Sequence, residues 1–438
     1  MYKYRINFLV LLLALSFASC SLVSPSPEEE TKKSVSSQKA FEQEDIYILF
    51  ALRAEQLHEN HAASDMFKTL YEKSQKKEYL YRSLENQLVA KEYTVVVQRV
   101  DFHTQGSLDD YTLIRLKVIA LVELGKLEEA RVLSVSLVKK SQEEDDYILV
   151  SDVYIKMQKY DMALKYLESG YNKNYSEKLL DKLSIVMYVN LHRKKDAIAQ
   201  LETHTRINGC SKMICSRLLA FYSNENNIDG ILSTYLRMYA IDKDEEIAKK
   251  IIQIYGYKQD NLSLITFLED SHSNDRVLLQ LYSVTKSYKK AKELSDKLYD
   301  ETGTIGYLGQ SAIYEYEAAK KRDKKLLSSV TKKLERVVEE DKNPLYLNYL
   351  GYVLIDHNID VKRGVKYIKE VLKIQPNSAY YLDSLAWGYY KLGKCSKAKL
   401  IMNKVVALEG GDDEEVLNHV KAINKCLKTK KRKVKKRK

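Results

Sequence analysis

Residues 148–168 read ILVSDVYIKMQKYDMALKYLE, and how this stretch folds decides how most of the chain folds. Tyr147, Ser151 and Tyr154 are spaced four and three apart, which puts them on one face of a helix. The pattern breaks at Gln158-Lys159 and resumes at Tyr160, Ala163, Leu164 and Leu167 on a second helical face. A small residue such as Ala163 lets two helix axes approach closely, while bulky neighbours fill the grooves beside it. The stretch predicts one helical hairpin.

With the small residue as anchor, the pattern recurs at Ala63, Val96, Ala130, Ala163, Ala197, Ile231, Leu264, Ala291, Val330, Gly364 and Ala398. Successive anchors lie 33 or 34 residues apart, except for one step of 27 followed by one of 39 that together restore the period. Seven of the eleven are Ala or Gly; the register near residues 96, 231, 264 and 330 is the least fixed. Only four prolines occur, Pro25, Pro27, Pro344 and Pro376, and none lies between Glu28 and Asn343. A proline-free run of that length suits helix after helix, so the expected class is all-α.

This resembles the tetratricopeptide repeat, whose period is about 34 residues. The clearest copy is AYYLDSLAWGYYKLGKCSKAKLIMNKVVALEG, residues 379–410. There Leu385, Ala386, Tyr389, Gly393 and Ala398 fall on the family's Leu, Gly, Tyr, Gly and Ala positions. The copy before it supplies Leu350, Gly351, Gly364 and a terminal Pro376. The resemblance covers residues 41–412 and implies a helical-hairpin solenoid of about eleven repeats, a right-handed superhelix whose groove holds protein partners. The first helices of the repeats would supply the contacts. Residues 413–427 then read as a closing helix. Val416, Val420, Ile423 and Leu427 form its apolar stripe, and Asp412, Asp413, Glu414 and Glu415 suit its start.

The chain opens differently. The apolar run Phe8–Ala18 is eleven residues long, and a spanning helix needs about 20. Lys3 and Arg5 precede it and Ala18-Ser19-Cys20 follow, the parts of a secretory signal at residues 1–19. Phe17-Ala18-Ser19-Cys20 resembles the lipobox of bacterial lipoproteins, which implies cleavage before Cys20 and acylation of its thiol. Residues 20–40, rich in Ser, Pro, Lys and Glu, read as a flexible tether. By that family's sorting rule Ser21 implies the outer membrane. The expected location is the bacterial cell envelope, lipid-anchored and facing the periplasm.

Four cysteines remain, an even number that suits disulfides in an exported chain. Cys395 begins the second helix of the last repeat and Cys426 ends the closing helix, so antiparallel packing would join them across a loop of about 30 residues. Cys210 and Cys215 can pair only if Cys210 lies in a loop. Neither spacing is that of a redox or zinc motif. His58 and His61 are assigned to an inter-helix loop, with no further ligand nearby. No phosphate-binding, HExxH or nucleophile-elbow motif is present. The repeat tyrosines Tyr147, Tyr154, Tyr282 and Tyr389 are read as core packing. No enzyme, cofactor or metal is expected.

The formal charge is +12. Nine of these charges sit in residues 428–438, and Lys3 and Arg5 supply two more, which leaves a nearly neutral body. The tail is expected to be disordered. Lys430, Lys431, Arg432, Lys433, Lys435, Lys436, Arg437 and Lys438 are candidates to meet anionic lipid or an acidic surface, and nucleic acid is not the expected partner. The leading reading is a membrane-anchored scaffold or adaptor. The alternatives are a structural part of an envelope-spanning machine, such as a flagellar motor, pilus or secretion system, and a polyanion-binding protein acting through its tail.

Overall fold

The computed structural model describes residues 39–408 and 413–435, with side chains described as far as Thr429. The expected signal, Cys20 and almost all of the tether lie outside the described residues. The chain divides at Leu201/Glu202 into two compact units. Each is a stack of tetratricopeptide-type helical hairpins.

The first unit holds four hairpins: Glu44–Gln56 with Asn60–Ser74, Lys77–Val89 with Tyr93–Thr104, Tyr111–Glu123 with Leu127–Ser141, and Glu144–Lys156 with Tyr160–Asn174. The second unit holds six. They are Lys212–Asn224 with Ile228–Asp242, Glu245–Lys258 with Asn261–Ser271, Asp275–Val284 with Tyr288–Thr302, Ile305–Ala318 with Lys324–Glu340, Pro344–Asp356 with Val361–Ile374, and Ala379–Lys391 with Cys395–Val405. The closing helix Glu414–Lys435 follows. In sequence between the two sets come Glu177–Ile185 and Lys194–Asn208, and the division falls inside the latter.

The anchors explain the pairing. Ala63, Val96, Ala130, Ala163, Ala197, Ala291, Val330 and Ala398 are wholly buried, and Leu264 nearly so. All but Val330 are the fourth residue of a hairpin's second helix. Ile231 is corrected by one residue. It is half-buried, and the crossing is made by buried Gly230, where an added Cβ would lie 2.4 Å from the Tyr222 ring. The short step of 27 is a short hairpin junction, because Asn261–Ser271 and Asp275–Val284 have only 11 and 10 residues. The long step of 39 arises where Lys324–Glu340 runs to 17 residues and its crossing residue, Val330, moves one turn inward. In Glu177–Ile185 the extra residue is absorbed as a π-helical turn, Val186–Asn190, with Leu191 N–H bonding the Val186 carbonyl at 3.0 Å.

Most second helices stop by turning one residue left-handed, though Lys324–Glu340, Val361–Ile374 and Cys395–Val405 do not. Gln75, Gln105, Gln142, Tyr175, Lys243, His272 and Gly303 all have positive φ at this position. Each then donates its N–H to the carbonyl four residues back, as Gln75 does to Tyr71 at 2.8 Å. His58 occupies a similar left-handed turn between helices. His61, expected in the same loop, is instead in the first turn of Asn60–Ser74, with Nδ1 3.1 Å from Glu92.

Neighbouring first helices of the first unit are tied by charge as well as packing. Arg82 donates from Nε and Nη2 to the two carboxylate oxygens of Glu55 at 2.7 Å, and Arg115 does the same with buried Asp146 at 2.7 and 2.8 Å. Glu44 is buried and accepts from Lys76 at 2.6 Å, Tyr79 at 2.7 Å and the Ala40 N–H at 2.6 Å. The Lys76 ammonium above all, opposed by burial, holds its carboxyl down from 4.5 to about 2. A folded value below the unfolded one means that this contribution is present above the unfolded value and is lost as pH falls towards the folded one. Wild type and Glu44→Gln should therefore differ in urea midpoint near neutral pH and converge as pH falls from about 4.5 to about 2.

The closing helix packs Val416 and Ile423 against Ala398, Met402 and Val405. It does not stop at residue 427. The helix continues to Lys435, so the backbone of residues 428–435 is helical where disorder was expected. Lysine and arginine are good helix formers, and cations suit a helix C-terminus, so nothing in this stretch ends the helix.

Candidate functional site

In the second unit, the first helices of the last three hairpins and the closing helix place aromatic and acidic side chains together. Pro344–Asp356 sends Leu347, Leu350 and Leu354 into the core, which leaves Tyr349 and Tyr352 on another face. The Tyr352 hydroxyl donates to Glu415 of the closing helix, and that of Tyr349 donates to Glu317 of the preceding first helix. Tyr316 stands edge-on to Tyr349, centroids 5.9 Å apart, and its hydroxyl lies 2.9 Å from His357 Nε2. The Arg322 guanidinium covers the Tyr316 ring at 4.3 Å.

The next first helix continues the face. Trp387, the only tryptophan in the chain, stacks on Tyr390 at 4.7 Å and on His419 of the closing helix at 4.0 Å. Its indole N–H donates to Asp356 at 2.9 Å, and Lys391 donates to the Asp356 carbonyl at 2.7 Å. His419 Nδ1 is 2.9 Å from Asp383, and both residues are buried. These contacts tie three successive helices into one surface.

Between them lies a cleft of about 210 Å³, lined by Tyr352, Ala379, Tyr380, Asp383, Ser384, Asp413, Glu415 and Val416. Three carboxylates line it and no cation does. Tyr380 is 55% exposed at the cleft. Desolvation within the cleft, reinforced by the Glu415 charge, raises its phenol. Burial raises Tyr349 and Tyr352 too, strengthened by their bonds to Glu317 and Glu415. The phenols therefore stay neutral, and Tyr349 and Tyr352 donate. Asp383 is bonded to His419 and Glu415 to Tyr352, and no lysine or arginine lines the cleft beside them; aromatic faces beside carboxylates recognise cations. Among the described residues no group of three His, Cys, Asp or Glu is arranged to hold a metal.

Other clefts are a by-product of stacking. Those around Tyr147 and Tyr166, Leu80 and His103, and Tyr282 and Leu294 fall at equivalent junctions between successive second helices. The cleft at Tyr352 differs because first helices and the closing helix form it.

The cysteines assigned from sequence meet in pairs. Cys210 follows left-handed Gly209 in the loop after Lys194–Asn208, and joins Cys215 with Cα atoms 5.5 Å apart. Cys395 and Cys426 join the start of the last second helix to the closing helix, Cα atoms 6.1 Å apart. Of the expected core tyrosines, Tyr147, Tyr154 and Tyr282 are buried and Tyr389 is partly buried. Cys20, Lys436, Arg437 and Lys438 lie outside the described residues, as do the side chains of Lys430, Lys431, Arg432, Lys433 and Lys435. The tyrosine cleft was not singled out from sequence. Its signal was present in Tyr349 and Tyr352, one helical turn apart and off the leucine stripe.

No family model matches the chain, and no curated protein matches it. Solved structures give a likeness at low identity. The structure of Naa15/Naa10 bound to HypK-THB is 13% identical with a TM-score of 0.31, covering 77% of this chain and 64% of that one, so this chain spans under two thirds of its length. The APC/C hetero-tetramer Cut9-Hcn1 is 15% identical with a TM-score of 0.28, covering 90% and 91% of the two chains. Yeast Tom70 is 11% identical with a TM-score of 0.33, covering 89% and 97%. At these scores the likeness does not bear on what this chain binds.

Proposed function

We propose that this chain is a lipid-anchored scaffold of the bacterial cell envelope, held at the outer membrane through Cys20 and facing the periplasm. It binds a protein partner on the first-helix face of its second unit and carries out no chemistry. The observation that carries the reading is the cleft of Tyr352 and Tyr380 with Asp383, Asp413 and Glu415, a surface of aromatic rings and carboxylates lined by no lysine or arginine. Its complement is an extended, cationic segment of a partner, whose lysine or arginine heads would meet the carboxylates while their stems cover the rings. Support for the anchor is the order Lys3 and Arg5, the run Phe8–Ala18, then Ala18-Ser19-Cys20. A pool of paired cysteines suits the same oxidising compartment.

The anchor is tested by intact mass and membrane fractionation of the full chain beside Cys20→Ala. The expected result is a wild-type protein that begins at an acylated Cys20 and sediments with membranes, while Cys20→Ala keeps the segment from Met1 to Ser19. An unacylated wild-type chain in the soluble fraction would remove the envelope reading and leave the cleft without a compartment.

A further inference from the structure

The four first helices of the first unit, beginning at Glu44, Lys77, Tyr111 and Glu144, keep one constant spacing to the anchors Ala63, Val96, Ala130 and Ala163, so their residues can be compared position by position. The third residue is Leu113 and Asp146 in the third and fourth hairpins, both buried. The seventh is buried Ser83 and Val150 in the second and fourth. The tenth is Asn86, Ala120 and Val153 in the second to fourth, all buried. What covers these positions is the second helix of the hairpin before. Val96 and Val100 lie in one cluster with Leu113 and Ala120, and Ala130 and Leu137 lie in one with Val153.

In the first hairpin no described residue covers the same positions. Ile46, third in its helix, is 53% exposed, and Phe50, seventh, is 57% exposed. Leu49 between them is 67% exposed, and Arg53, the tenth, is exposed as well. The closing helix covers the corresponding surface at the other end of the chain, with Val416 and Ile423 buried. A solenoid end of this kind ordinarily carries a polar face. This one carries three large apolar side chains, Ile46, Leu49 and Phe50.

We propose that this face pairs with the same face of a second copy, the two Glu44–Gln56 helices lying antiparallel about a two-fold axis at Leu49-Phe50. The charge pattern selects the arrangement. Asp45 sits near the start of the helix and Arg53 near its end, each about one turn from the axis. Antiparallel pairing sets Arg53 of each copy beside Asp45 and Ile46 of the other, whereas parallel pairing would oppose like charges. Among the described residues the Arg53 guanidinium makes a 3.4 Å contact with Gln56 in its own helix and no ion pair, which leaves it available for this role. Asp45 pairs with Lys39, itself exposed, and that pair can open or extend to the incoming arginine. A helix of 13 residues is about 20 Å long, so the buried area falls below that of a standard stable interface, and the dimer is weak and reversible.

The test uses the full chain with Leu49→Cys and a short bismaleimide cross-linker, with the unsubstituted chain as background. The expected product has twice the mass, and its cross-linked peptide contains Leu49→Cys from both copies. Tyr257→Cys, at an exposed site in the second unit, should give no such product. Adding Arg53→Glu should lower the yield about tenfold, since two favourable ion pairs become repulsive. A further Asp45→Arg should restore it, which a general loss of folding would not permit. Cross-linking to a different protein, to the chain's own segment before Lys39, or to nothing would each overturn the proposal. So would Leu49→Glu releasing the chain from phospholipid vesicles, since the face would then meet a bilayer.

Discussion

Replacing Gly364 by leucine is expected to destabilise the C-terminal hairpins by about 3 kcal/mol or more. Gly364 is where Val361–Ile374 crosses Pro344–Asp356. A Cβ added there would lie 2.6 Å from the Gly351 carbonyl oxygen and 2.7 Å from Ile355. The nearest obstacle is backbone, so no side-chain rotation relieves it and the helices must part. Parting them opens the cluster of Leu347, Leu350, Val353 and Val371, and the lost contacts add to the strain. Alanine at the same place gains about 1 kcal/mol of helix propensity and still meets the carbonyl, so it should be destabilising but less so. Gly256 is the control. It lies in Glu245–Lys258 with nothing within 4 Å of an added Cβ, so Gly256→Ala should stabilise by about 0.5–1 kcal/mol. Urea denaturation of the three variants checks this, and equal effects at Gly364 and Gly256 would contradict the packing.

Removing the Cys395–Cys426 pair as a double serine variant should cost about 3–4 kcal/mol, because the two residues are 31 apart and closing such a loop restrains the unfolded chain. The Cys210–Cys215 pair, only 5 apart, should matter less, about 2 kcal/mol. The loss at Cys395 falls on the closing helix, which leaves first. Trp387 reports that event, being the only tryptophan and stacked on His419 of that helix. In the double variant its emission should change at urea concentrations that leave the wild type unaltered. A reductant should make the wild type behave like the variant. If reductant changes nothing, the two cysteines are unlinked thiols and the cap is held by packing at Val416 and Ile423 and by the contacts of His419 and Glu415.

The repeat was legible because one residue per hairpin has no freedom. Ala63, Ala130 and Ala163 sit where helix axes are closest, so the sequence repeats small residues at the structural period. Where the small residue shifts, spacing misleads. Ile231 kept the count, but Gly230 makes the contact. The step of 27 could be counted but not explained, since shortened helices leave no mark beyond their length. The cleft was harder still. Tyr352, Tyr380 and Glu415 come from three helices far apart in the chain, and a tyrosine in a repeat looks the same whether it faces the core or the open side. The bare face of Glu44–Gln56 was hidden for the opposite reason. Its apolar stripe is what any first helix shows, and only the coordinates reveal that nothing described covers it.

The measurement that bears most directly on a partner held by the second unit is a titration of the full chain with a short peptide of alternating lysine and alanine, followed by Trp387 emission. Trp387 lies one turn from Asp383, which lines the cleft, and stacks on the helix that begins at Glu414. The expected result is a saturable change with the lysine peptide and none with a glutamate peptide, and loss of the change in Tyr352→Ala with Tyr380→Ala. Binding that survives this double variant unchanged, or an equal response to both peptides, would contradict it.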